Sequence, residues 1–188
     1  MKSRYPYRCI IKYVPSRYMT PERWSLRNQK LVYDFKNGIC SEYHMQRFLA
    51  ICLWLIQDMA IDWAVCFAPC SSEERSSRRF GNLYGFLKEN LPCDVHMDTM
   101  VYLGEKFPSY LWGKREIDNG EIGIEANHVF GKHVILIDDV ISTGKTFNKV
   151  GQLLMKAGAL SVEGLFFSRT VYPKNTLRRT FKPQIRSM

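Results

Sequence analysis

The 188-residue sequence predicts an α/β protein, a mostly parallel twisted sheet flanked by helices, with a strand and helical extension at its N-terminus. Three observations carry that reading. Short, nearly all-apolar runs at 62–68 and 133–137 suit strands buried on both faces. They alternate with amphipathic helical stretches, as right-handed crossovers between parallel strands require. Hydrophobic residues make up 46% and charged residues 24%, enough apolar material for a core and too much for bulk disorder.

The elements follow in order. Residues 8–14 read as a short strand whose Tyr-rich, basic flanks make it a poor central one. Thr20-Pro21-Glu22 combines a cap, a helix-starting proline and an early acid, so a helix is expected over 21–36, with Trp24, Leu31 and Phe35 inward and Gly38 ending it. Ser41 caps a second helix in which Met45, Phe48, Leu49, Cys52, Leu55, Ile56 and Met59 recur at helical spacing. After the strand at 62–68 comes a polar loop from Pro69 to Ser77, then a helix with Phe80, Leu83, Leu87 and Leu91 inward. A strand is expected at 95–103 and another at 133–137. The helix after that carries Phe147, Val150, Leu154 and Ala157, and a last strand covers 161–167. Between Leu103 and His128 no helix is legible. Pro108 and Gly104, Gly113, Gly120 and Gly123 suggest a long functional loop, and Asn119-Gly120 suggests a hairpin turn within it.

The net charge is +9. Residues 1–40 hold nine Lys or Arg against Glu22 and Asp34, and 168–188 hold six with no acid, so the ends are basic and the body mildly acidic. Such ends suit either a solubilising surface or an anionic partner such as nucleic acid. The longest apolar run, Phe48 to Ile56, is too short for a membrane span, and the first residues do not read as a secretory signal. Six cysteines without a CxxC pair and four scattered histidines indicate neither a disulfide framework nor a zinc site, and a reduced cytoplasmic compartment is the expectation. Organisation is expected as a basic N-terminal extension or hood element (1–40), an α/β core (41–172) and a basic tail (173–188).

The sharpest motif runs from His133 through Asp138-Asp139 to Thr146. A buried strand ends in two acids, then turns through small hydroxyl residues and Gly144 into a helix. Backbone N–H groups and hydroxyls of such a turn can surround a phosphate at the positive helix end, and Gly144 permits close approach. The acids offer acceptors to whatever the phosphate carries, and a sugar with cis hydroxyls suits them. Gly144-Lys145-Thr146 also resembles the tail of a P-loop, but that pattern needs a glycine where Asp139 stands.

This stretch resembles the phosphoribosylpyrophosphate signature of the type I phosphoribosyltransferases. Arg78-Arg79-Phe80-Gly81-Asn82 beyond the Pro69 loop, and Ala157-Gly158-Ala159 with Leu165 to Thr170, resemble the ComF-like competence-protein branch, without its N-terminal zinc ribbon. The resemblance implies transfer of a 5-phosphoribosyl group to an unidentified nitrogenous acceptor with release of pyrophosphate. It implies that Asp138 and Asp139 hold the ribose hydroxyls, and that Ile141, Ser142, Thr143, Gly144, Lys145 and Thr146 cradle the 5′-phosphate. Pro69, Cys70, Ser71 and Ser72, with Arg78 or Arg79, would meet pyrophosphate, and Lys114 and Arg115 would close over it; Lys106 is a further candidate. Mg²⁺ would be held mainly through substrate oxygens. The implied partners are phosphoribosylpyrophosphate and the acceptor, with weak nucleic-acid binding through the termini and a homodimer as the candidate assembly; no membrane is implied. The alternative is a non-catalytic ribose-phosphate sensor that binds nucleic acid through its basic ends. Cys66 and Cys70 are read as packing or loop residues, His128 and His133 as surface residues flanking a strand, and Trp54, Trp63 and Trp112 as packing.

Overall fold

The computed structural model describes residues 3–16, 18, 23–57, 62–102 and 122–172. Among these residues seven strands and four α-helices follow one another: β1 (Tyr7–Tyr13), α1 (Arg23–Lys36), α2 (Glu42–Leu55), β2 (Trp63–Phe67), α3 (Glu73–Asn90), β3 (Asp94–His96), β4 (Met100–Tyr102), β5 (Ile122–Ile124), β6 (His133–Ile141), α4 (Lys145–Lys156) and β7 (Ser161–Thr170). Five strands form one sheet in the order β1-β7-β6-β2-β3, every pair parallel. The strand at 8–14 joins this sheet at its edge, against β7.

The central strand β6 explains why the sheet is covered on both faces. Ile135 and Ile137 enter one apolar layer with Val32 and Phe35 of α1, Phe48 and Cys52 of α2, and Phe80, Leu83 and Leu87 of α3. Val134 and Leu136 enter the other, with Phe147, Val150 and Leu154 of α4. A strand apolar on both sides cannot face water, which accounts for its uninterrupted hydrophobic run. Phe35 is the keystone of the first layer: its ring stacks on Phe167 of β7 at 4.4 Å and 7°, and lies 5.9 Å from Phe48. Replacing it with Ala would cost about 3–5 kcal/mol through the cavity left behind.

Several expectations are corrected. Trp24 is 39% exposed and the buried stripe of α1 runs through Val32 and Phe35. The α2 stripe is narrower than the periodicity suggests, with His44, Phe48 and Cys52 buried and Met45, Leu49 and Leu55 only partly so. Ser41 turns its hydroxyl to His44 Nδ1 at 2.7 Å instead of capping the helix backbone. Trp54 does not pack in the core: it is 54% exposed, with the Arg8 guanidinium 4.2 Å over its ring. The strand expected at 95–103 is two strands. β3 pairs with β2, whereas β4 leaves the sheet and pairs antiparallel with β5, Met100 opposite Ile124 and Tyr102 opposite Ile122. The base of the expected hairpin is therefore present, while Asn119-Gly120 and Trp112 lie outside the described residues. β6 and β7 each run past their expected ends, to Ile141 and Thr170, so the paired acids stand inside a strand.

Two glycines fix connections. Gly38, at φ 84°, ends α1 where a Cβ would strike the Arg78 carbonyl of α3, so the α1–α2 turn is seated on α3. Gly144, at φ 75°, turns the chain from β6 into α4 in the left-handed region that glycine enters without strain. Among the described residues no helix is long and apolar enough to cross a membrane.

Candidate functional site

Chain order and sheet order together locate a crevice. From β2 the chain moves outward to β3, and from β6 it moves the opposite way to β7, so the direction of winding reverses between β2 and β6. In open parallel sheets ligands bind at the carboxyl ends of the two strands flanking such a switch point. The loops that leave those ends, 68–72 and 142–144, are the ones the sequence singles out. The backbone N–H of Ala68 donates to the Ile137 carbonyl at 2.8 Å, which ties the base of the first loop to β6.

The two adjacent acids have different surroundings. Asp139 is 8% exposed and its carboxylate meets Arg79 Nη1 of α3 at 3.0 Å and Lys36 Nζ, the last residue of α1, at 3.9 Å. Its carbonyl accepts from the buried Ser168 hydroxyl of β7 at 3.3 Å. Asp138 accepts the Asp139 backbone N–H at 2.7 Å. Burial, reinforced by the neighbouring Asp139 charge, raises its carboxyl well above the ordinary carboxylate range, and Arg79 only partly offsets this. Asp138 is thus the acid that holds its charge reluctantly, and a cation or sugar hydroxyl brought to it would relieve that cost.

Beyond Ile141, the chain turns outward. Ser142, Thr143, Lys145 and Thr146 are exposed and Gly144 is buried. No side chain caps α4; its first N–H, that of Lys145, makes a long 3.4 Å contact with Thr143 Oγ1. Hydroxyls and helix N–H groups therefore converge at the positive end of a helix dipole.

The opposite loop is bonded to itself. The Ser72 hydroxyl accepts from Arg75 N–H at 3.3 Å and caps α3, Arg75 Nη1 donates to Ser71 Oγ at 2.7 Å, and Arg78 pairs with Glu74 at 2.6 Å. Pro69 and Cys70 are half-buried at its base. Of the two arginines expected near pyrophosphate, Arg79 is thus engaged by Asp139, although its Nε is buried without a partner among the described residues. Lys106, Lys114 and Arg115 lie outside the described residues.

Three contributors were not legible in the sequence. Lys36 reaches Asp139 only because α1 packs across β6 and β7. Tyr172, just past β7, shares a hydrogen bond with Ser142 Oγ at 3.0 Å and carries Tyr18 edge-on at 5.4 Å. The strap before β1 crosses the start of α4: Arg4 N–H donates to Asn148 Oδ1 at 2.7 Å, and the Tyr5 ring rests against Gly151. The one available signal was position, since Tyr172 follows the last strand next to the switch point.

Comparison with known proteins agrees with this location. Residues 113–167 match the family model described as "Phosphoribosyl transferase domain". The DNA utilization protein YhgH of Escherichia coli is 40% identical over 43 residues, which are 23% of this chain and 19% of that protein; the chain thus spans about a fifth of the length of the curated relatives it matches. Among solved structures, a hypoxanthine-guanine phosphoribosyltransferase from Bacillus anthracis is 15% identical at TM-score 0.42, covering 73% of this chain and 83% of that one. The hypoxanthine phosphoribosyltransferase from Trypanosoma cruzi is 10% identical at TM-score 0.46, covering 75% and 74%. The match takes in the paired acids, the glycine turn and α4.

Proposed function

We propose that the protein is a phosphoribosyltransferase that moves the 5-phosphoribosyl group of phosphoribosylpyrophosphate onto a nitrogenous acceptor and releases pyrophosphate. One observation carries the reading: an uncapped helix end, turned by a left-handed glycine, stands beside an acid with no ion-pair partner of its own among the described residues, at the switch point of a parallel sheet. The family match over the same stretch supports it.

In this reading Ser142 to Thr146 bind the 5′-phosphate through N–H groups and hydroxyls. Asp138 accepts from a ribose hydroxyl. Asp139, held by Arg79 and Lys36, orients the strand end and keeps Arg79 beside the sugar. The α3 end at Ser71 and Ser72 faces the pyrophosphate, whose departure Lys114 and Arg115 would assist from the long loop. The bond from the anomeric carbon to pyrophosphate breaks as the acceptor nitrogen bonds to that carbon, and the displaced nitrogen proton passes to water. The residues present fit Mg²⁺, since Asp138 and the open hydroxyls are hard oxygen donors; when bound, the ion supplies charge neutralisation on pyrophosphate oxygens. Catalysis then consists of holding the sugar and stabilising developing charge.

The test is pyrophosphate release from phosphoribosylpyrophosphate with Mg²⁺ and a panel of bases, amines and glutamine. Acceptor-dependent release, lost in Asp138→Asn, is expected. Saturable binding of phosphoribosylpyrophosphate with no release for any acceptor would favour a sensor. Absence of both would overturn the reading.

A further inference from the structure

Away from the switch point, three potential ligands gather where β3 ends and the β4–β5 hairpin begins. His96 is the last residue of β3, Asp98 lies in the turn to β4, and His128 closes the short 3-10 turn Ala126–His128 that follows β5. One ligand atom from each falls within 4.8 Å of the others, and His128 Nδ1 is 3.8 Å from an Asp98 oxygen. Around a tetrahedral zinc ion, donors stand about 3.3 Å apart, given bonds of about 2.0–2.2 Å.

A second observation points to a ligand. His96 Nε2 is buried without a hydrogen-bond partner among the described residues. A buried polar nitrogen left unpaired costs about 1–3 kcal/mol unless something outside the protein satisfies it. The surroundings also fix His128. The Thr99 hydroxyl donates to Cys66 Sγ at 3.3 Å and lies 3.2 Å from His128 Nδ1, so it holds the ring in place, as outer hydroxyls orient imidazole ligands. The two rings stack at 3.8 Å and 9°. The in-plane lone pairs of stacked rings do not converge, so ligation of one ion by both requires the stack to open.

We propose that His96, Asp98 and His128 form a site for a divalent transition metal, with zinc the natural probe. Two imidazoles and a carboxylate leave a fourth position open to water or a small ligand. Asp98 is largely exposed, so the site opens to solvent. The site does not rest on the phosphoribosyl reading: among the described residues no hydrogen bond or ion pair joins its three ligands to 68–72 or 142–144.

Zinc alone, titrated into the full chain without phosphoribosylpyrophosphate, tests this by calorimetry and by long-range ¹H–¹⁵N spectra of the histidine rings. One saturable equivalent is expected, with the His96 and His128 ring resonances moving together and their mutual ring-current shift lost as the stack opens. Cobalt(II) in place of zinc should give a visible spectrum without a thiolate charge-transfer band. Asp98→Asn, at an exposed position, and His128→Gln should each weaken binding about tenfold or more, whereas Asp138→Asn should leave it unchanged. Unmoved ring resonances, a thiolate band, or wild-type affinity in the Asp98 and His128 variants would overturn the proposal.

Discussion

The two loops at the switch point differ in how their polar groups are satisfied. The loop into α3 is closed on itself, with Ser72 capping the helix, Ser71 holding Arg75, Glu74 holding Arg78 and Asp139 holding Arg79. The loop into α4 has no side-chain cap, a glycine at φ 75° and exposed hydroxyls on either side. Helix N-termini leave orphan N–H groups that something must satisfy. α3 answers with its own serine, while α4, with glycine at the N-cap, has only the long 3.4 Å bond from Lys145 N–H to Thr143 Oγ1. In the proposed reading the first loop is a prearranged pyrophosphate side and the second the open end that takes the 5′-phosphate.

The largest effect should come at Asp138, the acid without an ion-pair partner among the described residues. Asp138→Asn is expected to lower kcat/KM about 10²–10³-fold, the scale of a lost electrostatic contact in a transition state, measured by pyrophosphate release. The same change should alter stability in the opposite sense. Asp138 binds its proton more tightly folded than unfolded, so wild-type stability falls as pH rises from the ordinary carboxylate range to its raised value. Denaturant titrations from pH 4 to 8 should show that fall in the wild type and a flatter profile in the variant. A steeper profile in Asp138→Asn would reverse the assignment of the two acids.

Arg79→Ala should act on the closed side. Removing one member of a buried pair costs about 3–5 kcal/mol. Arg79 retains some water and Lys36 remains near Asp139, so a loss of about 2 kcal/mol is expected. Lys36→Ala should cost less, and a larger loss at Lys36 than at Arg79 would show that the 3.9 Å contact dominates.

Gly144→Ala tests the open loop directly. A side chain in the left-handed region costs about 1–2 kcal/mol, and a Cβ there would come 3.5 Å from the Ser3 Cβ. Thermal stabilisation by phosphoribosylpyrophosphate should shrink beyond what the lost stability accounts for. The smallest effect sharpens the contrast. Ser72→Ala removes a cap worth about 1 kcal/mol and should leave the affinity for ribose 5-phosphate unchanged, as read by calorimetry. A large loss of that affinity would mean that the α3 end binds substrate phosphate as well.

By itself the sequence determined the class of fold and the strand–turn–helix at 133–146. Buried parallel strands have to be continuous apolar runs, and a glycine among small hydroxyl residues marks a turn from strand to helix, so this stretch could be read without neighbours. Periodicity also located α3 and α4, because their stripes are regular. What only the tertiary structure decided was partnership. Nothing local distinguishes Asp138 from Asp139; α1 and α3 crossing the sheet bring Lys36 and Arg79 to one of them and leave the other to charge at a cost. Strand propensity ran straight through 95–103, yet the chain divides there between two sheets, because β3 has β2 to pair with and β4 has β5. That division brings His96, Asp98 and His128 together from positions 32 residues apart in sequence, a juxtaposition that scattered histidines do not announce.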